Sequence, residues 1–242
     1  MAGHSKFANI KHRKGAQDAK RAKIFTRLIR ELIVAAKGGD DVNGNPRLRS
    51  AIIAAKAANM PKDKIENAIK KGSNSAEGDN YENFRYEGYG PGGTAFIVEV
   101  LTDNKNRTAS NVRSIFNKYG GSLAESGSVS FMFDHLGVIR YVKNNISEEE
   151  IFEIAVEAGS EAVDIADEHY VIATLVENFA KVRDALMEKY GDPESLGLEW
   201  VAKEQINVVQ EKKETLLKMI DNLDEDDDVQ HFYTNGNDII LK

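Results

Sequence analysis

Apolar residues recur at helical spacing early in the chain. Ile24, Phe25, Leu28, Ile29, Leu32, Ile33 and Ala36 fall three to four residues apart and Gly38-Gly39 follows, so the spacing predicts an amphipathic helix over 15–37. At 100° per residue these positions fill one half of the helix, and Lys20, Lys23, Arg27, Arg30 and Lys37 gather on the other half. Asn45-Pro46 supplies a capping side chain and a proline for the first turn. A second helix is expected from there to Asn59, with Leu48, Ile52, Ile53 and Ala55 turned inward. Met60-Pro61 restarts the chain as a third helix through Ile65, Ala68 and Ile69, closed by Gly72. Residues 73–80 are polar and read as a linker.

The pattern then changes to alternation. Tyr81–Gly88 and Thr94–Thr102 read as strands on either side of a glycine-rich turn. Asp103-Asn104 caps a helix carrying Ala109, Val112, Ile115 and Phe116, which ends at Gly120-Gly121, and Val129–Phe133 reads as another strand. Residues 137–203 give strand, helix, strand, helix, strand at Gly137–Val142, Glu148–Ala158, Ala162–Thr174, Phe179–Tyr190 and Leu198–Lys203. A last helix at Glu211–Leu223 and strand at Val229–Tyr233 complete the pattern. The expected fold class is α+β: an N-terminal all-helical domain followed by two small sheet-and-helix domains, one inserted in the other. The expected domains are 1–80, then 81–134 joined with 205–242, with 135–204 as a ferredoxin-like insertion.

Charge changes this picture more than composition does. The chain of 242 residues carries a net charge of −7, but residues 1–80 hold 17 Lys and Arg against 8 Asp and Glu, a net of +9, and the remainder is −16. The first thirty residues have nine basic side chains and one acid, Asp18. Such asymmetry points to a polyanion partner for the basic part, either nucleic acid or an anionic membrane, with simple solubility of Lys-rich helices as the alternative. A cleaved transit peptide would be rich in serine, and Ser5 is the only one in that stretch. The absence of cysteine excludes a disulfide scaffold, thiolate metal sites and a cysteine nucleophile. No apolar run is long enough to span a membrane; the partner expected is nucleic acid and not a membrane.

Enzymatic motifs fail on inspection. Gly88-Tyr89-Gly90-Pro91-Gly92-Gly93 leads into a strand, whereas a phosphate loop needs Gly-Lys-Ser/Thr and then a helix, so a turn between strands is expected. Asp224-Glu225-Asp226-Asp227-Asp228, aligned as a calcium loop, puts Val229 where glycine must turn and Asn235 where glutamate belongs, leaving a solvated helix-to-strand loop. His4, His12, His135, His169 and His231 lack zinc-helix spacing, and there is no nucleophile elbow. The expectation is a protein that is not an enzyme and has neither cofactor nor catalytic or metal site.

The positive signal is for phosphate. Lys6, Lys11, His12, Arg13, Lys14, Lys20, Arg21, Lys23, Arg27 and Arg30 form a basic arm and helix face, as electrostatic binding of nucleic acid requires. Phe7 beside them fits either stacking on a base or anchoring the core. Arg47 and Arg49 begin the second helix. Lys62, Lys64, Asn67, Lys70 and Lys71 lie on the third, which would be a recognition helix if helices two and three form a helix-turn-helix; a plain three-helix packing fits as well.

Several segments carry a family resemblance across essentially the whole chain. The opening Ala2-Gly3-His4-Ser5-Lys6-Phe7-Ala8-Asn9-Ile10-Lys11-His12-Arg13-Lys14 resembles that of the YebC/PmpR family, which includes mitochondrial translational activators. Asn45-Pro46-Arg47-Leu48-Arg49, Ala58-Asn59-Met60-Pro61, Tyr86–Gly93, Thr102–Thr108 and Gly127–Ser130 are similar to it in the same order. Phe7 stands where the family typically has tryptophan, and Ala124 and Ser126 depart from a more Gly/Pro-like pattern. The resemblance implies a cytoplasmic three-domain protein, DNA binding with transcriptional regulation in some members, and action on the ribosome in others. The expected partner is therefore DNA, with ribosomal RNA on the ribosome as the alternative, and the protein is expected to be a monomer.

Overall fold

The computed structural model describes residues 17–74, 80–144, 146–166 and 168–237, with the side chains of 17–20 outside the description. The fold is α+β, and the described residues gather into two compact units. One holds 31–74 and 135–199; the other holds 17–30, 80–134 and 200–237.

The first unit begins within α1 (Gln17–Ala36), whose second half buries Leu32, Ile33, Ala35 and Ala36. It continues with α2 (Pro46–Ala57) and α3 (Lys62–Ser73). Asn45 caps α2 as its sequence indicates, its Oδ1 accepting from the Leu48 N–H at 3.0 Å. Leu48, Ala51, Ile53 and Ala55 are buried, so Ile53 rather than Ile52 faces fully inward. Gly72 does not close α3 but lies inside it. A Cβ there would stand 2.2 Å from the Ile33 carbonyl oxygen and 2.8 Å from Ala36 Cβ, so glycine is what lets α3 touch the backbone of α1.

The same unit contains a four-stranded sheet in the order β5-β6-β4-β7. Its elements follow the chain as β4 (Phe133–Val142), α5 (Glu148–Ala158), β5 (Ala162–Ala166), β6 (His169–Leu175), α6 (Phe179–Tyr190) and β7 (Ser195–Ala202). The single strand expected over Ala162–Thr174 is instead an antiparallel hairpin, in which Val163 pairs with Ile172 and Ile165 with Tyr170. Its core sets Ile139, Tyr141, Tyr170 and Ile172 of the sheet against Ile151 and Ala155 of α5 and Val182 and Leu186 of α6.

In the second unit the sheet order is β3-β1-β2-β9. It comprises β1 (Glu82–Tyr89), β2 (Ala95–Thr102), β3 (Ser122–Ala124) and β9 (Val229–Thr234). Between these strands come α4 (Lys105–Lys118) and α7 (Gln210–Glu225), and a two-stranded parallel pair joins β8 (Ile206–Asn207) to β10 (Gly236–Asn237). Strand alternation divides the residues of β2. Phe96, Val98 and Val100 face Val112 and Phe116 of α4 and Leu216, Met219, Ile220 and Leu223 of α7. Ala95 and Ile97 face Val129, Phe133 and Tyr233. The glycine-rich run forms the turn of the β1–β2 hairpin, with Gly92 and Gly93 at φ of 77° and 75°.

No strand forms at Val129–Phe133. Ser130–Met132 is a 3-10 turn, and the strand begins only at Phe133. The buried carboxylate of Glu87 holds this bend by accepting from the N–H groups of Val129 and Ser130, both at 2.9 Å. Burial pushes that carboxyl up, but these amides with that of Gly127, and the neighbouring Arg85, bring it below the usual carboxylate range.

Candidate nucleic-acid interface

Of the cations expected to meet phosphate, Lys6, Lys11, His12, Arg13 and Lys14 lie outside the described residues, as do Phe7 and the side chain of Lys20. Arg21 is exposed, with its guanidinium 5.3 Å from the Phe25 ring centroid one turn on. The next three cations of α1 meet the acidic run at the end of α7. Lys23 Nζ donates to the Glu225 carbonyl at 3.1 Å. Arg27 donates to Asp224 Oδ1 at 3.0 Å. Arg30 donates to the Asp227 carbonyl and, at 3.0 Å, to Asp228 Oδ1. The Arg30 guanidinium also stands 5.3 Å from the Tyr81 ring centroid.

The expectation of a wholly solvated acidic loop is therefore corrected. Asp228 is only 4% exposed, and the run is the counter-charge of the basic helix within the same unit. Opposite charges placed within contact distance neutralise each other locally, whatever the net charge of their segments.

Asp228 is the hub of this region. While Arg30 takes Oδ1, Oδ2 accepts from Arg107 at 2.8 Å, from the Thr108 hydroxyl at 2.7 Å and from the Thr102 hydroxyl at 3.2 Å. Burial pushes the Asp228 carboxyl up, but the bonds from Arg107 and Thr108 and the charges of Arg107 and Arg30 hold it below its ordinary value. Local sequence presents these donors. Asn104 caps α4 by accepting from the Arg107 N–H at 3.1 Å, and its own N–H donates to the Thr102 hydroxyl at 2.9 Å. The motif Thr102-Asp103-Asn104 thus starts a helix and turns two threonines and an arginine toward one carboxylate. Sequence reasoning missed Asp228 because its partners lie more than a hundred residues away. The available signal was an acidic run that ends directly against a strand, where its last member must enter the core.

In the first unit, too, several basic residues are engaged. Arg47 donates to both carboxylate oxygens of Glu31, at 2.7 and 2.9 Å, and this bond raises its pKa. Arg49 meets both oxygens of Asp184 at 3.2 Å. Burial raises the Asp184 carboxyl, but Arg183 and Arg49 bring it below its ordinary value. Lys62 lies 3.5 Å from Glu66, one turn on. Lys64 and Lys70 are exposed and Lys71 half-buried on the solvent side of α3, opposite the buried Ile65 and Ala68. The joint between α2 and α3 is tight: Asn59 has φ of 57° and the Met60 N–H donates to the Ala55 carbonyl at 2.9 Å.

Among the described residues no group of three or more His, Asp or Glu could hold a metal ion. No described helix is long and apolar enough to cross a membrane.

The described chain is α+β, with many of its basic side chains on helices α1 to α4. Two family models match it, the TACO1/YebC protein N-terminal domain at residues 5–75 and the TACO1/YebC second and third domain at residues 81–236. The chain belongs to the TACO1/YebC family, as its opening motif indicated. It is 52% identical over 237 residues to a protein of Rickettsia bellii named "Probable transcriptional regulatory protein", covering 97% of this chain and 94% of that one. A relative of the same descriptive name in Rickettsia rickettsii is 52% identical over 238 residues, with the same coverage. Among solved structures, a conserved hypothetical protein from Aquifex aeolicus has a similar fold, with a TM-score of 0.87 and 42% identity over 98% of this chain and 100% of that one.

Proposed function

We propose that this protein is a DNA-binding transcriptional regulatory protein that grips the phosphate backbone with residues 1–80. The observation that carries the reading is a conjunction: close relatives bear a transcriptional name, and the same chain concentrates a net charge of +9 in its first 80 residues. Lys6, Lys11, His12, Arg13 and Lys14 of the arm, Lys20 and Arg21 of α1, and Lys62, Lys64, Lys70 and Lys71 of α3 supply the phosphate contacts, and Phe7 stacks or anchors beside them. Lys23, Arg27, Arg30, Arg47 and Arg49 hold protein oxygens and act by positioning the helices. The reading includes the three-domain division 1–80, 81–134 with 205–242, and 135–204. The protein acts in the cytoplasm as a binding protein, without a catalytic step or cofactor.

The test is fluorescence anisotropy of labelled duplex DNA titrated with the full chain at several salt concentrations. With about 4–6 cations on phosphates the log–log salt slope is expected near −4 to −5, and Lys11, Arg13 and Lys14 changed together to Ala flatten it by up to ~3. An unchanged slope removes the arm from the interface. Sucrose-gradient sedimentation of lysate supplies the other arm: co-migration with ribosomes, with no retention on promoter DNA, overturns the transcriptional reading.

A further inference from the structure

The strongest unassigned surface lies in the part of the chain, residues 81–242, whose net charge is −16. Helix α4 spans fourteen residues without a single acid. It buries Thr108, Val112 and Phe116. Asn106, Arg107, Ser110, Asn111, Arg113, Ser114, Asn117 and Lys118 are all exposed, so its solvent arc consists of cations and neutral hydrogen-bonding groups.

The two edges of that arc differ. Toward α7 the donors are answered: Arg107 meets Asp103 and Asp228, Asn111 meets Asp226 at 3.3 Å, and Lys118 meets Asn222 at 3.3 Å. Toward β1 they are not answered by acid. Lys105 Nζ stands 4.9 Å from the Phe84 ring centroid. The Lys105 carbonyl accepts from the Tyr86 hydroxyl at 3.4 Å, and the charge of Arg113 acts on that same hydroxyl. Neither Lys105 nor Arg113 forms an ion pair with a described carboxylate. Eight residues of helix place these two cations about 12 Å apart along the axis, with Asn106 and Ser110 available between them. The ring under the Lys105 ammonium restrains it at the surface without removing its charge, because a cation over a ring face keeps its remaining hydrogen-bond donors.

We propose that this β1-facing edge of α4, built from Lys105, Asn106, Ser110 and Arg113, is a second contact for the phosphodiester backbone of nucleic acid. Phe84 is partly buried and lies beneath Lys105, so the edge reads phosphates and not bases. The inference rests on the reading of nucleic acid as partner and adds a surface outside residues 1–80.

The test compares the full chain with Lys105→Gln/Arg113→Gln on a labelled duplex DNA and on a single-stranded RNA of equal length, across a salt series. Removing two phosphate contacts is expected to make the salt slope shallower by about 2 on whichever polymer uses the edge. A second variant, Asn106→Glu/Ser110→Glu, leaves both cations in place and sets repelling charge between them; it is expected to weaken binding in the same direction. An unchanged melting temperature for each variant shows that the fold is intact. If the unaltered chain binds neither polymer, the nucleic-acid reading itself falls. If it binds and both variants keep its affinity and slope, only the α4 edge is overturned.

Discussion

The first half of α1 and helix α4 are both basic, and both belong to the second unit, yet they are held by different forces. Within 21–30 of α1 no side chain is fully buried, and Ile24 is 40% exposed. What ties this stretch is Lys23, Arg27 and Arg30 on the oxygens of residues 224–228. Helix α4 is anchored by Val112 and Phe116, each fully buried, the Phe116 ring meeting Phe96 edge-on at 5.8 Å. Burial leaves Lys105 and Arg113 of α4 without an ion-pair duty, whereas in α1 the cations themselves do the holding. The comparison teaches that the sign of a segment does not give the sign of its surface: the chemistry answering each charge decides whether it is offered to a partner.

This contrast can be broken in graded ways. Phe116→Ala should cost the most, about 3–5 kcal/mol by cavity formation, and the loss should be the same at low and high salt in denaturant unfolding. Asp228→Ala removes the acceptor shared by α1 and α4, leaving the Thr102 and Thr108 hydroxyls without it. A loss of about 3 kcal/mol, or roughly 6–12 °C in melting temperature, is expected by calorimetry. Acid should act on the same carboxylate. Its folded pKa is below the ordinary value, so the unfolded chain binds more protons; the stabilisation is complete above about pH 5 and lost as pH falls through 4 and below. Hydrogen exchange at low pH should therefore open 21–30 before α4. The smallest effect belongs to Arg27→Gln: its partner Asp224 is half exposed, so less than about 1 kcal/mol is expected, vanishing in high salt. A large, salt-independent loss there would show that α1 is packed and not clasped.

Much of the fold was legible where the signal is local. Asn45 and Asn104 mark helix starts because a cap acts over three residues, and the glycine-rich run is a turn because its neighbours alternate. The hairpin inside 162–175 and the bend at 130–132 were not legible. The first depends on strand pairing, and the second on a glutamate over forty residues upstream donating no pattern of its own. The site divides in the same way. Basic residues are visible one by one, but Asp228 answering Arg30, and Asp184 answering Arg49, are long-range facts. Nor could a segment net of −16 reveal that α4 contains no acid on its outer face: averaging over a hundred and sixty residues erases a helix of fourteen.

The clasp of residues 224–228 on α1 has a consequence for anyone counting contacts by titration with electrolyte. Salt that weakens a phosphate contact also weakens the hold of Asp224 and Asp228 on Arg27 and Arg30, which compete for the same guanidinium groups. An interface that recruits these two arginines would therefore show a shallower dependence on electrolyte than its number of contacts implies.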